Sequence, residues 1–146
     1  MAIRLAAAGI WLVAGAGKLP ELETFRTQVE RYDVLPHALV APFAFGLPFV
    51  EIAIGLYLAV GLFVRWSAAV GTVLMAVFVA AIAQAWARGL VIDCGCFGAL
   101  AQERVGVRTL LRDLALGLPT FLMLAWPARR LSVDHRYLRQ PVTRSA

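Results

Sequence analysis

The sequence holds two cysteines, Cys94 and Cys96, separated by one glycine within the stretch VIDCGCFGAL at 91–100. Thiols this close can crosslink the chain, bind a metal, or cycle between dithiol and disulfide. A crosslink stabilises mainly by closing a loop in the unfolded chain, and the gain shrinks with the loop. A bridge across Gly95 closes almost nothing. The bond is still geometrically accessible. Residues two apart in an extended chain lie near the upper limit of the Cα separation a disulfide tolerates, and Gly95 lets the backbone draw the sulfurs together. A bond held under such strain is readily reduced and oxidising. Its expected potential lies among the catalytic disulfides, at about −120 to −270 mV, and not below about −300 mV. Zinc needs a full tetrahedral ligand set, and only Asp93 and His37 accompany the thiols on that side. A linear site for a soft ion such as Cu(I) or Hg needs the two thiolates alone.

Four further ionisable residues interrupt apolar segments: Lys18, Glu51, Arg112 and Asp113. Each is expensive in lipid and so invites a functional explanation. One reading is a buried ion-pair cluster, Glu51 with Lys18 or Arg112, that fixes helix register. The other is chemical: a carboxylate near a thiol takes its proton, and Arg or Lys stabilises the thiolate.

The elements that must position these groups are helices in a membrane. The chain has 146 residues, 61% of them hydrophobic and 16% charged, with a mean hydropathy of +0.76. A soluble domain of this length has too little interior to hide that much apolar surface. Four apolar runs stand out: Ile3–Gly17 (extending through Leu19), Phe43–Phe63 after a start marked by Pro36 and Pro42, Trp66–Ala87, and Val107–Trp126. The last three are each about 20 residues, enough to cross a ~30 Å hydrocarbon core. Arg4 in the first run is expected to snorkel to the headgroups. That run also has the form of a signal peptide, but three spans follow it and Lys18 fits a bundle interior. Gly9, Gly15, Gly17, Gly55, Gly61 and Gly71 supply small surfaces for close helix approach. Between the first two runs, LETFRTQVERY sets Leu22, Phe25, Val29 and Tyr32 at helical spacing, an amphipathic surface helix. The expected fold is all-α: an integral membrane four-helix bundle over residues 1–128, with that short surface helix between spans 1 and 2.

Basic residues orient the bundle. One side carries Arg4, Arg65, Arg129, Arg130, Arg136, Arg139 and Arg144; the other carries Lys18, Arg26, Arg31, Arg88, Arg104 and Arg108. The dense cluster in 129–146 marks a basic cytoplasmic tail, by the positive-inside rule. On a membrane protein such a tail reads as a topology signal or a contact with anionic lipid, not with nucleic acid. The segment 18–36 and the cysteine loop then face outward, where disulfides persist. At 1.5 Å per residue, Glu51 falls about 12 Å below that surface, and Arg112 and Asp113 about 8 Å.

The order Trp11-x-x-Ala14-Gly15-x-x-Lys18-Leu19, Tyr32-x-x-Leu35-Pro36, Leu47-Pro48-x-x-Glu51-x-x-x-Gly55, Arg88-Gly89, Asp93-Cys94-Gly95-Cys96-Phe97-Gly98 and Arg112-Asp113 resembles the MauE branch of the DoxX-like membrane proteins. The similarity runs to Trp126, and DCGCFG after Arg-Gly is its most specific part. The resemblance implies a thiol–disulfide protein of the bacterial inner membrane that works with a thioredoxin-like extracytoplasmic partner. On this view Cys94, Cys96, Glu51, Arg112 and Asp113 do the chemistry. A quinone is expected between the helices near Lys18, Glu51 and Arg112. A non-catalytic assembly factor and a soft-metal carrier are the alternatives.

Overall fold

The computed structural model describes residues 2–94 and 104–125. Helix α1 spans Ala2–Lys18 and passes through a short 3-10 turn, Leu19–Glu21, into α2, Leu22–Tyr32. Helices α3, His37–Val60, and α4, Val64–Ala87, follow, and α5 spans Val107–Ala125. The described residues contain no strand beyond an isolated antiparallel bridge between Asp93 and Arg104. Three helical stretches are long and apolar enough to cross a membrane: Ala2–Tyr32, α3 and α4. Helix α5 falls outside that class by composition, because Arg108, Arg112 and Asp113 all lie within its 19 residues. The chain is a membrane protein.

The apolar runs become helices close to where composition puts them, with one displacement. Helix α3 begins at His37, after Pro36 as its N-cap, and runs through Pro42 and Pro48. A proline inside a helix removes one hydrogen bond, but helices in lipid tolerate it because neighbours re-satisfy the freed group. Glu51 therefore lies about 21 Å along α3 from its first residue, by the rise per residue, deeper than a start at Phe43 implies. Trp126 and the basic segment 129–146 lie outside the described residues.

Glycine sets how closely α1 and α3 approach. A Cβ on Gly15 would stand 2.8 Å from the Pro48 carbonyl oxygen and 2.8 Å from Ile52 Cγ1; one on Gly55 would stand 2.7 Å from Leu12 Cγ. Gly71 meets Trp11 and Thr120 in the same way, and Gly117, not anticipated from sequence, gives way to Met75. Gly9 touches nothing within 4 Å and has no such role. The core at this level is Ala7, Ala8, Trp11, Ile54 and Leu58. A hydrogen bond from Trp11 Nε1 to Thr120 Oγ1, 3.2 Å, ties α1 to α5.

Arg4 faces the interior of the packed helices. It is buried, and its guanidinium lies against Gly61, whose φ of +84° ends α3 in the left-handed conformation that glycine adopts without cost. The amide N–H groups of Gly61 and Leu62 both donate to the Tyr57 carbonyl there. Arg4 and the α3–α4 turn thus form one end of the bundle; the ends of α2 and α4 and the start of α5 form the other.

Candidate functional site

The second end is where the chemistry-bearing residues meet. Helix α4 stops at Arg88-Gly89: Gly89 takes φ +68°, and the Gly89 and Leu90 amides donate to the Trp86 and Ala85 carbonyls. This termination turns the chain back toward α5. Arg88 donates to the Tyr32 carbonyl at 3.3 Å and pairs with Asp33 at 3.7 Å, so α4 is clamped to the end of α2. The chain then pairs with its own return. Val105 N–H donates to the Ile92 carbonyl at 2.9 Å, and Thr109 Oγ1 on α5 donates to the Arg104 carbonyl at 2.8 Å. Cys94 sits at this pinned base; Cys96 lies outside the described residues.

Cys94 is 5% exposed and packs with Ile82, Tyr32, Val105 and Leu110. The Tyr32 hydroxyl donates to its carbonyl oxygen at 3.1 Å. Its thiol donates to Asp113 Oδ2 at 3.8 Å, within range for sulfur, and Arg112 Nε donates to Asp113 Oδ1 at 3.1 Å. Asp113 is itself almost fully buried, and the Arg112 side chain is 23% exposed. The result is a short chain of polar groups: guanidinium, carboxylate, thiol. A carboxylate that accepts the S–H bond favours the resting thiol and can take its proton when the sulfur reacts. The guanidinium offsets the carboxylate charge throughout.

Lys18 and Glu51 form a separate pair. Lys18 Nζ donates to both Glu51 carboxylate oxygens at 2.9 Å and to the Ala14 carbonyl at 3.2 Å, with both side chains sealed from solvent. The ammonium also lies 5.4 Å from the Phe25 ring centroid and 5.9 Å from that of Phe78. Lys18 is sequestered because α2 continues past it and Phe25 closes over it. Of the two partners the sequence allowed for Glu51, the structure pairs it with Lys18; Arg112 pairs with its own neighbour.

Glu51 and Asp113 still face one another across a void of about 20 Å³, also lined by Trp11, Ala14, Met75 and Phe78. That space holds a water molecule at most. Lys18 and Glu51 are taken up by each other, and the void between Glu51 and Asp113 is of water size. A larger cavity of about 110 Å³ opens between α2, α3 and α4, lined by Phe25, Val29, Phe43, Phe78 and Ile82, with Cys94 in its wall. Sequence reasoning had no signal for it, because it exists only once α2 folds over α3 and α4.

Asp93 is partly exposed and its backbone bridges to Arg104, and His37 pairs with Glu30 at 3.3 Å. Among the described residues no three His, Cys, Asp or Glu side chains gather where they could hold a metal.

The family described as methylamine utilisation protein MauE matches residues 1–126. The chain is 35% identical over 133 residues to a methylamine utilization protein MauE of Paracoccus denitrificans, covering 87% of this chain and 72% of that one. It is 36% identical over 121 residues to the protein of the same name from Methylophilus methylotrophus, with 80% and 64% covered. The counterpart from Methylorubrum extorquens is 35% identical over 120 residues, again with 80% and 64% covered. The chain thus spans just under two-thirds of the length of the latter two. No solved structure matches it significantly. With the match running through every described helix, this chain belongs to the MauE family of methylamine utilisation proteins.

Proposed function

We propose that this protein is a thiol–disulfide oxidoreductase of the bacterial cytoplasmic membrane, which oxidises a thioredoxin-like partner outside the cell's inner membrane and thereby serves the maturation of a client protein. The observation that carries this reading is the buried Cys94 thiol on the Asp113 carboxylate, two residues from the other cysteine of the chain. A purely structural cysteine has no need of an adjacent ion pair.

In this reading α5 crosses the membrane with the other helices, α2 lies at the outer surface, and the basic tail 129–146 is cytoplasmic. The two faces of α5 support its crossing. Thr109, Asp113, Gly117 and Thr120 point into the bundle, while Leu111, Leu114, Leu118 and Phe121 are at least half exposed, as lipid requires.

Burial divides the labour between the thiols. Cys94 is closed to a protein-sized partner, so exchange with the partner falls to Cys96. A partner thiolate attacks Cys96 of the Cys94–Cys96 disulfide, a mixed disulfide forms, and Cys94 leaves as a thiolate that takes a proton from the Asp113 site. The partner's second thiol then displaces Cys96. The partner gains a disulfide, and Cys94 and Cys96 are left as thiols. In this reading electrons flow inward, since the two cysteines make a single pair, with no second pair to draw electrons from cytoplasmic thiols.

Trapping tests this directly. With Cys94→Ser, Cys96 lacks its resolving thiol and a mixed disulfide with a thioredoxin-fold protein should accumulate; Cys96→Ser should trap nothing. Client maturation that survives Cys94→Ser would identify a non-catalytic assembly factor. A membrane-impermeant maleimide added to reduced intact cells should label the cysteine loop; labelling only after lysis would invert the orientation.

A further inference from the structure

We propose that the apolar cavity beneath α2 binds a lipid-borne quinone, which takes the electrons that Cys94 and Cys96 collect. This rests on the thiol–disulfide reading above and names the oxidant it requires. Once the pair is reduced, an acceptor must reach Cys94 inside the bundle, and the chain has no further cysteine to relay electrons elsewhere.

The cavity meets each condition for that acceptor. It shares a wall with Cys94, and its other walls include the rings of Phe25, Phe43 and Phe78, which suit a flat apolar ring. Its volume of about 110 Å³ is of the order that holds a single ring. Val34 and Val77 also line it and are each 49% exposed. The mouth is therefore apolar, as entry from lipid requires. Gln28 lines it too, and its side-chain oxygen is buried with no hydrogen-bond partner among the described residues. A hydroxyl on the ring would satisfy that acceptor; an acyl chain has no donor to offer and accepts no electrons.

The step balances. Cys94–SH and Cys96–SH react with the quinone to give the Cys94–Cys96 disulfide and a hydroquinone. Both S–H bonds break, one S–S bond forms, and two electrons and two protons reach the ring oxygens. Gln28 accepts from one of the new hydroxyls.

The test is photolabelling of the purified full chain in detergent with an azidobenzoquinone bearing a short isoprenoid tail, with labelled peptides located by mass spectrometry. Label on the Phe25–Tyr32 and Val77–Ile82 segments, displaced by unmodified quinone, is the expected result. Ala81→Phe, which fills the cavity, should abolish that label while disulfide exchange with glutathione persists. Gln28→Leu should weaken displacement by the hydroquinone, whose hydroxyls can donate to Gln28, by about three- to tenfold, the worth of one neutral hydrogen bond. Saturable label around Glu51 and Arg112 instead, or no saturable label, would overturn the cavity assignment while leaving the thiol–disulfide reading intact. Loss of glutathione exchange in the unmodified protein would defeat that reading itself.

Discussion

Two ion pairs among the described residues, Lys18–Glu51 and Arg112–Asp113, are grouped together by sequence alone, and they differ in every feature that matters for chemistry. Lys18–Glu51 joins two helices, satisfies both carboxylate oxygens with one ammonium, and is walled by Phe25 and Phe78. Arg112–Asp113 joins adjacent residues of one helix, leaves the guanidinium partly exposed, and presents the second carboxylate oxygen to a thiol. A charge pair closed on itself fixes register. A pair with an oxygen given to a reactive group supports a reaction. The first pair thus has the form of a fastener, and under the proposed function the second has a chemical role.

Breaking the sealed pair should have the largest effect. Glu51→Gln strands the Lys18 ammonium and should cost about 3–5 kcal/mol, the range for a buried pair that loses one partner. Thermal unfolding in detergent measures it. Removing both charges, Lys18→Met with Glu51→Leu, should recover most of that loss, since no uncompensated charge remains. A Glu51→Gln variant as stable as the parent but unable to turn over would remove the fastening role and mark Glu51 as a proton acceptor; one unchanged in both would remove both roles.

Asp113→Asn sharpens the other side of the comparison. It removes the base but keeps a polar group for Arg112, so folding should change little. Exchange with glutathione should slow by about a hundredfold or more, the usual worth of a positioned base. Equal loss of stability and rate would make Asp113 as structural as Glu51. Where α1 packs on α3, Gly15→Ala pushes a methyl into the Pro48 carbonyl and should cost about 1–3 kcal/mol, read as a lowered unfolding temperature. The smallest effect expected is that of Tyr32→Phe, which removes the bond to the Cys94 carbonyl and should cost about 1 kcal/mol. Its signature is faster hydrogen exchange at the Val105 amide, where the loop base is paired, with little change elsewhere.

The helices were legible because long apolar runs admit few other folds. The glycines at 15, 55 and 71 were legible as contact surfaces for the same reason. Three features were not. Pro42 reads as a helix boundary by local rules, whereas packing against α1 and α2 carries α3 through it. Depth along a helix places Glu51 within range of both Lys18 and Arg112, and only the bundle's rotation chooses between them. Burial of Trp11 against Thr120 depends on long-range packing of α1 and α5, to which periodicity within either helix is blind. At the site, Asp113 was readable as a group near the thiol. Tyr32, Gln28 and the cavity were not, since they depend on how α2 folds back over α3 and α4.

The thiol–disulfide claim is tested most directly by equilibrating the purified protein with glutathione buffers across a range of poise and counting free thiols by mass spectrometry after alkylation. The expected result is a reversible two-electron transition of the Cys94–Cys96 pair, with a midpoint of about −120 to −270 mV, among the catalytic disulfides. A pair that never forms an intramolecular disulfide at any poise would contradict the redox role, and binding of a soft metal ion to the reduced thiols would then be the function to pursue.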